Sequence, residues 1–235
     1  MVETKTARHE SGLAFLFDLD GTLVDSVYQH VLSWHEALGA AGIPLSVWRI
    51  HRRIGMSGGL FANALLREMG HPIAPDLIQR LRRDHAAAFE QHGKSVVPLP
   101  GARELLSTLT KQHVPWAIAT SGRMETAAGL IEKLGVDPTK VPVVTRDQVR
   151  YAKPDPDLFI TAAHRLGADI HDSVVVGDSV WDLLAARRAR SLGVGLLSGG
   201  YGEDELARAG AYRVYADPAE MLARLDETGV RTDDT

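Results

Sequence analysis

Phe15-Leu16-Phe17-Asp18-Leu19-Asp20-Gly21-Thr22-Leu23 joins a short apolar run to two carboxylates and a glycine. The run reads as the end of a buried strand. Asp18 and Asp20, two residues apart, project to one side of the chain as it leaves the sheet. Gly21 permits a sharp turn without Cβ strain. In open parallel sheets ligands bind beyond the carboxyl ends of the strands, which is where this pair lies. Outward from it, apolar runs rich in β-branched and aromatic residues predict strands at 13–17, 115–119, 141–145, 173–176, 194–197 and 211–214. Helical patterns fill 102–112, 124–134, 157–166, 180–190, 203–209 and 219–226. Such alternation implies an α/β fold, with right-handed βαβ units and a parallel sheet covered on both faces. Asp155-Pro156 and Asp217-Pro218-Ala219-Glu220 each set an N-cap carboxylate before a proline at the first helical position.

Between 30 and 93 the alternation stops. Helices are expected at 31–41, 47–54, 60–69 and 75–91, and no strand. The chain therefore divides into a flexible N-terminus (1–12), a core (13–29 and 94–228) and an inserted all-helical cap (30–93), with Pro98-Leu99-Pro100-Gly101 as a stiff return. The insertion carries seven arginines, no lysine and five acidic residues, and six of the ten histidines. Its balance is +2, so the remainder holds −6 of the total −4. A cationic lid over an anionic base favours an anionic substrate bound with a metal.

With 45% hydrophobic and 24% charged residues among 235, and no apolar run of membrane-spanning length, a disordered tail, a rod and a transmembrane span are excluded. A net charge of −4 gives no general attraction to nucleic acid or to anionic lipid. The absence of cysteine excludes disulfides, thiolate zinc sites and cysteine nucleophiles, leaving oxygen or imidazole as metal ligands. The first twelve residues have no apolar h-region, and a cytoplasmic protein is expected.

Three further elements belong to the same sheet domain, in or just beyond strand-to-helix connections. Thr120-Ser121-Gly122-Arg123 places hydroxyls and free N–H groups at a strand-to-helix junction, a seat for phosphate or an ordinary cap. In Tyr151-Ala152-Lys153-Pro154-Asp155-Pro156 two prolines hold the chain extended and restrict the lysine. Gly177-Asp178 and Asp182, one turn later, offer oxygen ligands that suit a hard divalent ion, Mg²⁺ above all. Each has a mundane alternative as a cap or surface group. Their joint occurrence with the Asp18–Asp20 pair in one sheet domain is what carries the reading.

Asp18-Leu19-Asp20-Gly21-Thr22-Leu23, Thr120, Lys153-Pro154 and Gly177-Asp178 with Asp182 resemble, in order and spacing, the four motifs of the haloacid dehalogenase-like superfamily. The helical insertion, with Asp25-Ser26, His30 and Trp34, resembles the cap of its phosphoglycolate phosphatase and β-phosphoglucomutase-like branch. The resemblance implies a Rossmann-like parallel-sheet core, a mobile cap and Mg²⁺-dependent phosphoryl transfer through an aspartyl phosphate. Asp18 would be the nucleophile, and Asp20 the acid–base group. Lys153 and Thr120 would hold the phosphate, and Asp18, the Asp20 carbonyl, Asp178 and Asp182 the metal. A second aspartate after the nucleophile favours phosphate esters over halide displacement. A mutase that passes the phosphate to a sugar hydroxyl is the alternative on the same scaffold, as is a catalytically silent binding protein.

Substrate contacts are expected from Ser121, from His30 at the core–cap junction, and from Arg53 and Ser57 in the glycine-rich segment 49–59. The partner expected is a small phosphorylated metabolite, with neither nucleic acid nor membrane, and the protein a monomer or homodimer. Gly193-Val194-Gly195 lacks the third glycine of a dinucleotide fingerprint, and a nucleotide cofactor is not expected.

Overall fold

The computed structural model describes residues 12–70 and 74–230. The segment expected to be flexible lies outside them except for Gly12. Six parallel strands form one sheet in the order β3-β2-β1-β4-β5-β6. They are β1 (Ala14–Phe17), β2 (Trp116–Ala119), β3 (Val143–Val144), β4 (Ser173–Gly177), β5 (Leu192–Leu196) and β6 (Ala211–Tyr215). Side chains alternate across the sheet. Phe15 and Phe17 thus join the core under α5 (Ala102–Lys111), α6 (Met124–Leu134) and α10 (Pro218–Ala223). Leu16 joins the opposite core, under α7 (Asp157–Leu166) and α8 (Val180–Ala189). Burial on both faces is why the central strands read as unbroken apolar runs. The edge strand β3 is shorter than expected. Pro142 lends its carbonyl to Ile118 N–H (3.0 Å) but has no N–H of its own for a ladder.

The order places the chain reversal at β1 and β4. The chain winds outward from β1 through β2 and β3, then returns to the other side of β1. Phe17 pairs with Ile118 on one side and Val176 on the other, so β1, β2 and β4 end level with one another. The residues that follow them open into the crevice where such sheets bind ligands.

The insertion is helical, as α1 (Val27–Ala40), α2 (Val47–His51), α3 (Gly58–Glu68) and α4 (Pro75–His92). They close on a core of their own, including Trp34, Leu38, Ile50, Phe61, Leu65 and Leu81. Helix α1 begins four residues earlier than the periodicity predicts, directly after Ser26. Helix α2 is shorter than expected. Arg53 and Ile54 already bond three residues back, and Gly55, at φ +95°, turns the chain away.

One cap expectation is corrected. Asp217 does cap α10, accepting from Glu220 N–H at 2.9 Å. Asp155 caps nothing: α7 starts at Asp157 after Pro156, and Asp155 instead pairs with Arg188 at 3.3 Å. The prolines around Lys153 also turn the chain rather than extend it. The Lys153–Pro154 bond is cis, and Asp155 N–H returns to the Ala152 carbonyl at 3.2 Å. Gly193 and Gly195 lie inside β5, where a Cβ would come within 3.0 Å of Leu183 and Leu206, so packing against α8 and α9 (Glu203–Ala209) accounts for both. No helix among the described residues is long and apolar enough to cross a membrane.

Candidate active site

Asp18 leaves the end of β1 and Lys153 lies below it, wholly buried. Lys153 Nζ pairs with Asp18 and lies 2.8 Å from Asp182 Oδ1, over the ring of Phe159. Asp182 is held from its other oxygen, which accepts from Ser179 N–H (3.1 Å) and Oγ (2.6 Å) at the start of α8. Asp178, at the end of β4, accepts from Thr22 Oγ1 at 3.0 Å. Oxygens of Asp18, Asp178 and Asp182 lie within 4.8 Å of one another.

This is one buried ammonium among three buried carboxylates. Burial raises the Asp18 pKa to about 7, with Lys153 pulling it down and Asp182 and Asp20 pushing it up. Burial, then the charges of Asp182 and Asp18, lift Asp178 well above the usual carboxylate range. Burial opposes the Lys153 charge, but Asp18 and Asp182 more than offset this and keep it protonated. Two unit charges at 4 Å repel by about 4 kcal/mol at an effective dielectric of 20, so the cluster calls for more positive charge than Lys153 brings. All-oxygen donors in that state fit a hard divalent cation. The fit extends to the backbone. A Cβ on Gly199 would stand 1.8 Å from Asp178 Oδ2 and one on Gly21 2.6 Å from it, so two glycines make the niche for this carboxylate.

Asp20 faces the same cavity from another direction. Its Oδ1 accepts from Ser26 Oγ at 2.6 Å and lies 3.1 Å from His30 Nε2. Burial works to raise its pKa, yet the charge and hydrogen bond of His30, with that of Ser26, hold it below the ordinary value. His30 Nδ1 in turn lies 3.1 Å from His85 Nε2, on α4. His30 stacks on Phe89 and His85 on Trp34. Burial, then the neighbouring His30, drives the His85 pKa well below the imidazole norm, so His85 is neutral.

Thr120 follows β2, and its Oγ1 accepts from Gly122 N–H at 2.9 Å. Ser121 Oγ is buried without a hydrogen-bond partner among the described residues and lines the cavity, an orphan that an anionic oxygen would satisfy. The cavity, of about 780 Å³, lies between the sheet ends and α3 and α4. Of the residues expected to contact substrate, His30 lines it while bonded to Asp20, and Ser57 lines it while capping α3 through Leu60 N–H at 3.4 Å. Arg53 also lines it, but its guanidinium is paired with Glu68.

Beside the cavity the insertion is fastened to the sheet. His51 Nε2 meets the Gly199 carbonyl at 2.7 Å, Arg52 pairs with Glu205, and the Arg52 carbonyl accepts from Tyr201 OH (2.9 Å) and Trp181 Nε1 (3.3 Å). The sequence reading singled out none of His85, Gly199 or Thr22 as site residues. Thr22 sits inside the first motif and was legible there. His85 and Gly199 carry no local signal, since each matters only through a side chain distant in sequence.

A crevice at a sheet reversal, holding buried carboxylates and one buried ammonium, is the site of an enzyme that handles an anionic group. The family of haloacid dehalogenase-like hydrolases matches residues 13–190, and the chain belongs to it. It is 33% identical over 199 residues to a phosphoglycolate phosphatase of Agrobacterium fabrum, covering 83% of this chain and 84% of that protein. It is 35% identical over 178 residues to hexitol phosphatase A of Escherichia coli, covering 74% and 78%. Among solved structures, a hydrolase from Pseudomonas syringae superposes with a TM-score of 0.89 at 55% identity, covering 91% of this chain and 98% of that one.

Proposed function

We propose that the protein is a phosphoric monoester hydrolase that cleaves small phosphorylated metabolites, with Asp18 as nucleophile and Mg²⁺ as cofactor. The observation that carries this reading is the buried set of Asp18, Asp178 and Asp182 around Lys153, with Asp20 held apart on His30. The relatives named as phosphatases support the reaction class.

Asp18 attacks phosphorus with the oxygen not engaged by Lys153. The phosphorus–ester oxygen bond breaks as the aspartyl phosphate forms. Lys153, Thr120 and the unsatisfied Ser121 hydroxyl hold the phosphoryl oxygens. Asp20 Oδ2, free of Ser26 and His30, gives a proton to the leaving alkoxide. It is ionised in the free protein; the incoming dianion raises its pKa by like-charge repulsion, so as the ester binds it takes up from solvent the proton that it then donates. Water then attacks the aspartyl phosphate, Asp20 takes its proton, and inorganic phosphate leaves. Asp18 and Asp178, with Asp182 and the Asp20 carbonyl, would hold Mg²⁺, which supplies neutralising charge and orients the phosphate.

Residues 30–93 serve as the cap that excludes bulk water during attack, over the core of 13–29 and 94–228. A cytoplasmic setting accords with a cysteine-free chain. The test is release of inorganic phosphate from p-nitrophenyl phosphate with Mg²⁺ and with EDTA, for the wild type and Asp18→Asn. Activity that needs Mg²⁺ and vanishes in the variant is expected. Activity that survives either change overturns the mechanism, and isomer formation from a sugar phosphate in place of phosphate release would make the protein a mutase.

A further inference from the structure

The cavity continues well past the carboxylate cluster, and its far wall is cationic. Five arginines line it: Arg53, Arg82, Arg83, Arg123 and Arg146. Two are already matched, Arg53 by Glu68 and Arg123 by Asp147 at 2.8 Å. Arg82, on α4, has no ion pair or hydrogen bond among the described residues. It is half-buried and lies beside the start of α3. A Cβ on Gly58 would lie 3.8 Å from its Cγ, and one on Gly59 4.0 Å from its Nη1. Arg146, which follows β3, is half-buried and among the described residues donates only to the Val149 carbonyl, at 2.7 Å. Arg82 lies close enough to Arg123 and Arg146 for their charges, after burial itself, to disfavour its own, with Asp147 as the countering carboxylate. Asp147, paired with Arg123, is the carboxylate that acts on Arg82 here, in a cavity that Glu90, Glu125 and Asp155 also line together with Asp18. Like charges gathered without sufficient counter-charge are costly to the free protein and become favourable only when an anion joins them.

We infer that Arg82, Arg123 and Arg146 form a subsite for a second anionic group on the substrate, so that the preferred esters carry a carboxylate or a second phosphate besides the phosphate that is cleaved. The inference rests on the phosphatase reading for the identity of the first group and goes beyond it, because neutral polyol phosphates would serve Asp18 equally well. The sequence reading looked for such a group at Arg53. The structure gives that arginine to Glu68 and leaves the duty to residues on α4 and beyond β3.

The experiment has a binding arm and a turnover arm. Calorimetry on the full chain compares 3-phosphonopropionate with propylphosphonate, which cannot be hydrolysed and differ in the carboxylate alone. It is joined by kcat/KM with Mg²⁺ for two matched sets, one being glycerol 3-phosphate, 3-phosphoglycerate and propane-1,3-diol bisphosphate. The other is glucose 6-phosphate, 6-phosphogluconate and glucose 1,6-bisphosphate. Expected is a preference of about tenfold to a hundredfold for an anionic member over its neutral counterpart in at least one set, and for the carboxylated phosphonate in binding. Arg82→Gln and Arg146→Gln should each shrink that ratio at least several-fold, with circular dichroism unchanged, and Arg82→Lys should restore part of it. The carboxylate and bisphosphate members tell which anion is taken. A preference that is absent from both arms, or that survives both glutamine variants, overturns the subsite. If no ester turns over while the phosphonate preference stands, the phosphatase reading falls and the subsite remains.

Discussion

His30 Nε2 stands 3.1 Å from Asp20 Oδ1, and the imidazole is fixed there by Phe89 on its face and His85 at its other nitrogen. The histidine is thus turned to the carboxylate rather than held free for substrate. Its hydrogen bond and charge are what keep Asp20 below the ordinary carboxylate pKa against the effect of burial. In His30→Ala the Asp20 pKa should rise, so the acidic limb of the kcat profile, set by the water-attack step in which Asp20 accepts a proton, moves to higher pH. The rate should fall by about 10²-fold, the scale of a misplaced acid–base group, chiefly in kcat. Rate profiles of the wild type and variant check this. An unmoved acidic limb would remove His30 from any role in tuning Asp20.

Lys153 is the one buried cation between Asp18 and Asp182. Removing it leaves carboxylates buried without a partner, a change that costs about 3–5 kcal/mol in comparable buried pairs. Lys153→Ala should therefore lose stability by an amount of that order in urea unfolding without added metal. The loss should be larger at alkaline than at acidic pH, because protonation of Asp18 relieves it.

The two halves of the site differ in how far the sequence disclosed them. Asp18, Thr120, Lys153 and Asp178 each follow an apolar strand or flank a turn, so local pattern and sheet topology suffice to bring them together. The strands were legible for the same reason, with β3 shortened at one end where Pro142 lacks a donor and at the other where the chain turns at Arg146–Gln148. The wall opposite was not legible. His85 and Arg82 sit on a polar helix whose periodicity says which side is buried but not what it meets, and Gly199 matters through a carboxylate 21 positions earlier. Asp155 failed as a cap because α7 starts at Asp157 behind Pro156 and the Asp155 carboxylate goes to Arg188 instead, which no single-residue preference foretells.

Protons and Mg²⁺ should compete for the carboxylates. Burial raises Asp18 to about 7 and lifts Asp178 well above the normal range. Folded pKa values above the unfolded ones mean that the folded state binds more protons. The resulting stabilisation is fully present below about pH 4 and is lost as pH rises through about 7. Without metal, the thermal midpoint should therefore carry a downward contribution between about pH 5 and about pH 8. Mg²⁺ needs the ionised carboxylates, so it should raise the midpoint more at the higher pH and release protons as it binds. Calorimetric scans at both pH values, with Mg²⁺ and with EDTA, decide it. A Mg²⁺ effect that is equal at both, or larger in acid, contradicts the assignment of these carboxylates as ligands.

Gly199 offers the sharpest separation of fold from site. Its backbone is not in the left-handed region, so alanine meets no dihedral strain there. The added methyl would instead fall 1.8 Å from Asp178 Oδ2, and the carboxylate, pinned at its other oxygen by Thr22, would have to give way. Gly199→Ala should consequently fold and show a near-normal far-ultraviolet spectrum. Its Mg²⁺ affinity should drop by about 10–100-fold, the usual effect of displacing a metal ligand through its neighbour. Excess Mg²⁺ should recover part of the activity, a rescue that Asp18→Asn cannot show because it lacks the nucleophile. Titration of activity against Mg²⁺ for both variants makes the comparison, and an unchanged Mg²⁺ requirement in Gly199→Ala would mean that Asp178 does not hold the ion.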